Sequence, residues 1–153
     1  MDEFHARRLV DLYADTILRI SYSYLKQTCD AEDICQTVFL KYLTNDCTFD
    51  SIDHEKAWII RTTINACKDH LKSHWRKTTV PIEAAQHIPA PAAEPGSILA
   101  SVNLLPPKYR AVIYLHYYEG YTAPEIAQLL GRLPSTVNTQ LRRGREQLKT
   151  LLE

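Results

Sequence analysis

A chain of 153 residues with 18 basic and 18 acidic side chains and 45% hydrophobic residues has the makeup of a globular protein with one or two cores, and its zero net charge argues against strong unaided attraction to a polyanion. No apolar run approaches the roughly 18 residues that span a bilayer, and the opening MDEFHARRLVDLY mixes charges through its apolar positions, unlike a secretion signal, so the expected location is cytoplasmic. Cys29, Cys35, Cys47 and Cys67 form no CxxC pair, which argues for reduced thiols and against a disulfide framework.

The first 60 residues carry 6 basic and 11 acidic side chains, net −5. Within them Leu9, Leu12, Tyr13, Ile17, Ile20 and Tyr24 recur at steps of three and four, the stripe of a core-facing helix. A second helix is expected to start at DAED, with Asp30 capping free backbone amides and Asp33 favouring the positive end of the helix dipole. Its polar arc holds Asp33, Gln36, Thr37 and Lys41, with Leu40 in the middle. Leu40 is either an ordinary exposed leucine or an apolar knob framed by hydrogen-bonding groups, the pattern of a docking surface.

A third helix is expected from about Glu55 to Arg76. Residues 61 to 77 carry 5 basic and 1 acidic side chains, net +4. On a helical wheel Ala57, Ile60, Ile64, Cys67, Leu71 and Trp75 gather as a core stripe. Beside it run Arg61, Asn65, Lys68, Lys72 and Arg76, with Trp58 at the start. Cations, an amide and an aromatic on one strip can pair phosphates, bond a base edge and stack on an unpaired base; a plain solvated face has the same look. Cys67, His70 and His74 share one side of this helix, raising the alternative of a metal or redox sensor. Helix geometry separates Cys67 from His74 by about 10 Å along the axis, so periodicity is the simpler cause.

Residues 78 to 97 hold four of the eight prolines and no sustained helical pattern, as a linker does. The second domain opens with LLPPKYRAVIYLHYYEG, where Pro106 and Pro107 suit a helix start and Gly120 a stop. Then come Pro124 to Leu130, a turn at Gly131, and Ser135 to about Leu152. Apolar Ile126, Leu130, Val137, Leu141 and Leu148 face inward, the pattern of a helix-turn-helix. Outward face Ser135, Asn138, Thr139, Arg142 and Arg143, groups that read bases in a major groove; a terminal helix that binds protein is the competing reading. Residues 78 to 131 carry 2 basic and 4 acidic side chains, net −2, and residues 132 to 153 carry 5 and 2, net +3.

Strand signals are absent, so the expected fold is all-α: two small helical domains, residues 1 to 77 and 98 to 153, joined by the Pro-rich linker 78 to 97. Two short basic zones in an acidic body can meet phosphates locally while giving the whole molecule little affinity for DNA alone. No nucleophile and base stand in a recognisable motif, and the four glycines form no phosphate-cradling loop, so an enzyme is not expected.

Together these stretches resemble the extracytoplasmic-function (ECF) sigma factors of the sigma-70 family. DAEDICQTVFLKYL is similar to the region 2.2 signature, KAWIIRTTINACKDHLKSHWR to the promoter-melting helix, and LPPKYRAVIYLHYYEGYTAPEIAQLLGRLPSTVNTQLRRGREQL to region 4. The resemblance implies that Asp33, Gln36, Phe39 and Leu40 grip core RNA polymerase. It implies that Trp58, Arg61, Asn65, Lys68, Lys72 and Arg76 lie on the melted minus 10 element, and that the loop from Thr44 to His54 holds a flipped base. It also sets His116, Glu125, Ser135, Asn138, Thr139, Arg142 and Arg143 against the minus 35 duplex. An anti-sigma factor is an expected partner; no cofactor, metal or catalytic residue is called for. A stand-alone helix-turn-helix regulator of an operator is the alternative.

Overall fold

The computed structural model describes residues 3–45, 48–77 and 98–152, with the side chains of residues 74–77 outside that description. Among the described residues every regular element is a helix. The chain divides into two compact units, Met1–Ala90 and Pro91–Glu153. The proline-rich stretch 78–97 lies outside the described residues.

The first unit packs three helices: α1 (Glu3–Leu25), α2 (Thr28–Leu43) and α3 (Ile52–Lys77). Lys26 adopts a left-handed backbone, φ 56, and its N–H bonds the Tyr22 carbonyl at 2.8 Å. This ends α1 and lets the chain reverse within two residues. Leu9, Tyr13, Ile17 and Ile20 of α1, Ile34, Cys35 and Val38 of α2, and Ile59, Ile60, Ile64 and Cys67 of α3 are buried.

Three expectations need correction here. Leu12 is exposed (48%), because the α1 stripe runs through Leu9, Tyr13, Ile17 and Ile20 and leaves position 12 at its edge. Asp30 is no cap: Gln27 is the N-cap residue and makes no side-chain cap bond, while the Asp30 carboxylate lies 3.6 Å from His70 Nε2 on α3. Ile59 and Thr63 join the α3 core, whereas Leu71 is exposed (41%). Facing two helices at once, α3 buries an arc of about 160° at ~100° per residue instead of a narrow stripe. Beyond His70, level with the first turn of α2, it has outrun the partner that would cover Leu71. The Trp75 side chain, assigned to the same stripe, lies outside the described residues.

The second unit holds α4 (Ile98–Asn103), α5 (Pro107–Tyr117), α6 (Ala123–Leu130) and α7 (Pro134–Leu152). Pro106 caps α5 and Pro107 opens it, where a missing N–H costs nothing. Every residue from Tyr109 to Leu115 is buried, since α4, α6 and α7 all pack on this central helix. The short α4 was not foreseen; Val102 is its buried residue, too little for a periodic signal. Thr122 and Glu125 form a capping box at the start of α6, and Gly131 ends it at φ 66, a conformation that suits glycine. Ile126, Leu130, Val137 and Leu141 are buried as expected, and Leu148 half-buried.

Gly144 is the contact point between α5 and α7. A Cβ there would stand 2.8 Å from Ile113 Cγ1 and 3.0 Å from its Cδ1, and Ile113 is itself fully buried. Gly144→Ala is expected to lower stability by about 1–2 kcal/mol, overpacking outweighing the gain in helix propensity; an unchanged thermal midpoint in circular dichroism would contradict this.

Candidate nucleic-acid interface

On α3 the basic strip is real as a surface. Arg61, Asn65 and Lys72 are exposed and Lys68 is half-buried, and from Arg61 to Lys72 the strip runs about 16 Å along the axis. It lies opposite the buried arc that anchors the helix, so the core fixes its direction. The Arg76 side chain lies outside the described residues.

Trp58 differs from its neighbours in the strip. Its ring meets Tyr42 edge-on at 5.9 Å and Phe49 at 5.8 Å, and it packs against the core. It braces the start of the strip instead of standing clear as a stacking platform. Phe49 also stacks on Tyr42 at 5.8 Å and meets His54 at 5.3 Å. His54 Nδ1 accepts the Asp50 N–H at 3.3 Å, and Ser51 Oγ accepts the His54 N–H at 3.1 Å. Of the loop assigned to base capture, residues 46 and 47 lie outside the described residues.

Behind these rings is a residue that sequence reasoning missed. Glu55 is 7% exposed, and its carboxylate accepts from Tyr13 Oη at 2.5 Å, Tyr42 Oη at 2.7 Å and Arg8 Nη2 at 3.3 Å. Burial pushes its pKa up, but the two tyrosine hydroxyls and Arg8 outweigh that and hold it below the ordinary value. Burial and the same carboxylate raise the tyrosines, Tyr42 to about 12.

On α2, Asp33, Gln36 and Leu40 share one exposed face, with Leu40 62% exposed. Phe39 is half-buried and packs on the core, so it supports this face from behind. Leu43 (47%) and Ile52 (64%) are also exposed and were not singled out; a leucine three residues past Leu40 was the available signal.

In the second unit, Ser135, Asn138, Arg142 and Arg143 are exposed and Thr139 is half-buried. Ser135, Thr139 and Arg143 come together with Lys108, Tyr109, Thr136 and Gln140 around a depression of about 300 Å³. Asn138 and Arg142 do not line it. The Thr139 hydroxyl donates to the Ser135 carbonyl at 3.1 Å, which spends its donor within the helix. Arg132 bonds Gln140 Oε1 at 2.8 Å and the Lys108 carbonyl at 3.5 Å, tying the turn to both α5 and α7.

His116 Nδ1 lies 2.8 Å from the Tyr121 carbonyl. A carbonyl can only accept, so Nδ1 carries the proton and Nε2 is left for other partners. Glu125 Oε1 accepts the Thr122 N–H at 3.0 Å and the Thr122 hydroxyl at 2.9 Å, and these bonds hold its pKa below the ordinary value.

Of the three residues of the metal or redox alternative, Cys67 and His70 do not converge, and the His74 side chain lies outside the described residues. Cys67 is fully buried, burial pushing its thiol up to about 11, while His70 meets Asp30. Among the described residues no three of His, Cys, Asp and Glu gather as metal ligands would.

This pairing of two helical units has known counterparts. Residues 9–77 match the family described as Sigma-70 region 2, and residues 96–148 match Sigma-70, region 4. The ECF RNA polymerase sigma factor SigW of Bacillus subtilis is 30% identical, the match covering 94% of this chain and 87% of SigW. SigE of Mycolicibacterium smegmatis is 29% identical, over 94% of this chain and 60% of SigE. Among solved structures, the sigma factor RpoE from Bartonella quintana, in complex with the anti-sigma factor NepR, shares the fold with a TM-score of 0.76 at 21% identity, covering 95% of each chain. CnrH, in complex with the cytosolic domain of CnrY, gives 0.64 at 19%, covering 99% of this chain and 89% of CnrH. No helix among the described residues is long and apolar enough to cross a membrane. With both regions in order on one chain and SigW matched along nearly its whole length, the chain belongs to the ECF sigma factors of the sigma-70 family.

Proposed function

We propose that this protein binds core RNA polymerase in the cytoplasm and directs it to promoters, reading a melted minus 10 element with its first unit and a minus 35 duplex with its second. The observation that carries this reading is that each unit presents a polar, partly basic face on a helix whose opposite side is buried, within a chain of zero net charge. Two small patches supply discrimination, and the polymerase supplies most of the affinity for DNA.

In this reading the face of Asp33, Gln36 and Leu40, backed by Phe39, docks on the polymerase. Arg61, Lys68, Lys72 and Arg76 pair with phosphates of the non-template strand, Asn65 bonds a base edge, and Trp58 braces the loop that captures a flipped base. Asn138, Arg142 and Arg143 read bases in the minus 35 major groove, with Ser135, Thr139, His116 and Glu125 at its edges. An anti-sigma factor that covers both units is the proposed regulator; among the fold relatives, RpoE is solved in complex with the anti-sigma factor NepR and CnrH with the cytosolic domain of CnrY.

Multi-round transcription with purified core polymerase on a library of promoter fragments, beside a gel shift without polymerase, tests the function. Specific transcripts that require the protein, with little shift on its own, are expected. A tight shift without polymerase and no new transcripts would replace this reading with that of a stand-alone regulator. Arg142→Ala and Arg143→Ala are each expected to weaken discrimination at the minus 35 element about tenfold or more, the value of one bidentate base contact; preferences equal to those of the unaltered protein would move the contact elsewhere.

A further inference from the structure

The segment from Phe49 to His54, which leads into α3, is held from inside the core. Three donors from two helices converge on Glu55: Arg8 and Tyr13 from α1 and Tyr42 from the last turn of α2. The Tyr42 hydroxyl is thereby pinned at 2.7 Å, while its ring stacks on Phe49 with 20° between the planes. Phe49 packs in turn on Trp58 and His54, and His54 fastens the loop backbone through the Asp50 N–H. A continuous series of contacts therefore runs from a buried carboxylate, through a phenol and a ring stack, to the main chain of Thr48–His54.

The order of strengths in that series matters. Ring contacts are worth about 0.5–1.5 kcal/mol and tolerate sliding, so alone they would leave the loop with several arrangements. A hydroxyl donating to an ionised carboxylate is short, directional and about twice as strong as a neutral bond. The carboxylate end thus sets where Tyr42 stands, and Tyr42 sets where Phe49 stands. Glu55 is too deeply buried to meet DNA itself, and Arg8 balances its charge.

We infer that Glu55 is a positioning residue for promoter reading: acting through Tyr42 and Phe49, it fixes the shape of the Phe49–His54 segment that leads into α3 and with it the discrimination among bases of the single-stranded element. This rests on the sigma-factor reading above.

Two near-isosteric variants of the full chain test it with core RNA polymerase. Tyr42→Phe keeps the ring stack and removes the pinning hydroxyl; Glu55→Gln keeps the shape and an acceptor oxygen and removes the charge. Transcription is measured from the best promoter, from templates altered at single positions of the minus 10 element, and from templates altered in the minus 35 element, below the melting range of both variants. The preference at one or two minus 10 positions is expected to fall about tenfold in both variants, the size of one lost charge-assisted bond. Preference at minus 35 and affinity for the polymerase are expected to stay near those of the unaltered protein. Full minus 10 preference in both variants would overturn the inference, and so would an equal loss at minus 35, the mark of general weakening. Failure of the unaltered chain to give any promoter-specific transcript would instead overturn the sigma-factor reading, and the inference with it.

Discussion

Leu40→Asp is expected to leave both units folded and to lower affinity for core RNA polymerase about a hundredfold, the roughly 3 kcal/mol of a hot-spot residue. Leu40 is 62% exposed and belongs to no part of the core, so helical content is expected to stay unchanged and the thermal midpoint to fall by only a few degrees, the ~1 kcal/mol cost of an acid in the last turn of a helix. Its neighbours Asp33 and Gln36 can exchange water for polymerase groups, whereas Leu40 has only apolar surface to offer a pocket. An aspartate there forfeits that burial and takes an unpaired charge into a desolvated contact. Fluorescence anisotropy of labelled protein titrated with core polymerase measures the change. An affinity within about threefold of the unaltered protein, small beside a hot-spot loss, would move the polymerase contact off this face of α2.

Glu55→Ala is expected to cost the first unit about 3 kcal/mol, because it strands two buried or half-buried hydroxyls and the guanidinium that converge on the carboxylate. In a unit of this size that corresponds to a fall of roughly 10–20 °C in thermal midpoint. The pH dependence has a definite sign. The folded carboxylate titrates below its ordinary value of 4.5, so its contribution is complete above the unfolded pKa and is lost as pH falls through the folded one. The tyrosines act in the opposite sense: raised above the ordinary 10.0, they contribute fully below that value, and for Tyr42 the contribution is lost as pH rises through about 12. A stability plateau between the ordinary carboxylate and tyrosine values, with an acid limb flattened in Glu55→Ala, is the expected profile. An acid limb unchanged by the substitution would assign acid sensitivity to other carboxylates.

The helices of both units, α4 apart, were legible because their apolar residues recur with the helical period, and the helix-turn-helix because Pro124 and Gly131 punctuate it. The faces opposite those stripes followed from the same wheel, which is why Arg61, Asn65, Asn138 and Arg142 stand exposed as read. What escaped has no period. Glu55 looks like any acid in the first turn of a helix, and its partners at 8, 13 and 42 lie at irregular distances along the chain. The ring cluster of Tyr42, Phe49, His54 and Trp58 is equally hidden, since a loop brings it together. Asp30 was misread because a left-handed residue at Lys26 starts α2 earlier than its acidic residues suggest. Two features were there to be found: Thr122 and Glu125 have the spacing of a capping box ahead of an apolar run, and a glycine inside a helical pattern, Gly144, signals close approach of another helix.

That capping box has a consequence beyond α6. Glu125 is exposed at the helix start, where a glutamate would ordinarily wander among many rotamers. With Oε1 committed to Thr122, the carboxylate is held in one orientation before any partner arrives. Ordering that side chain belongs to the folding step and not to the binding step. In the proposed reading, Thr122, which reaches no base itself, thereby sets how Glu125 is presented at the edge of the minus 35 groove.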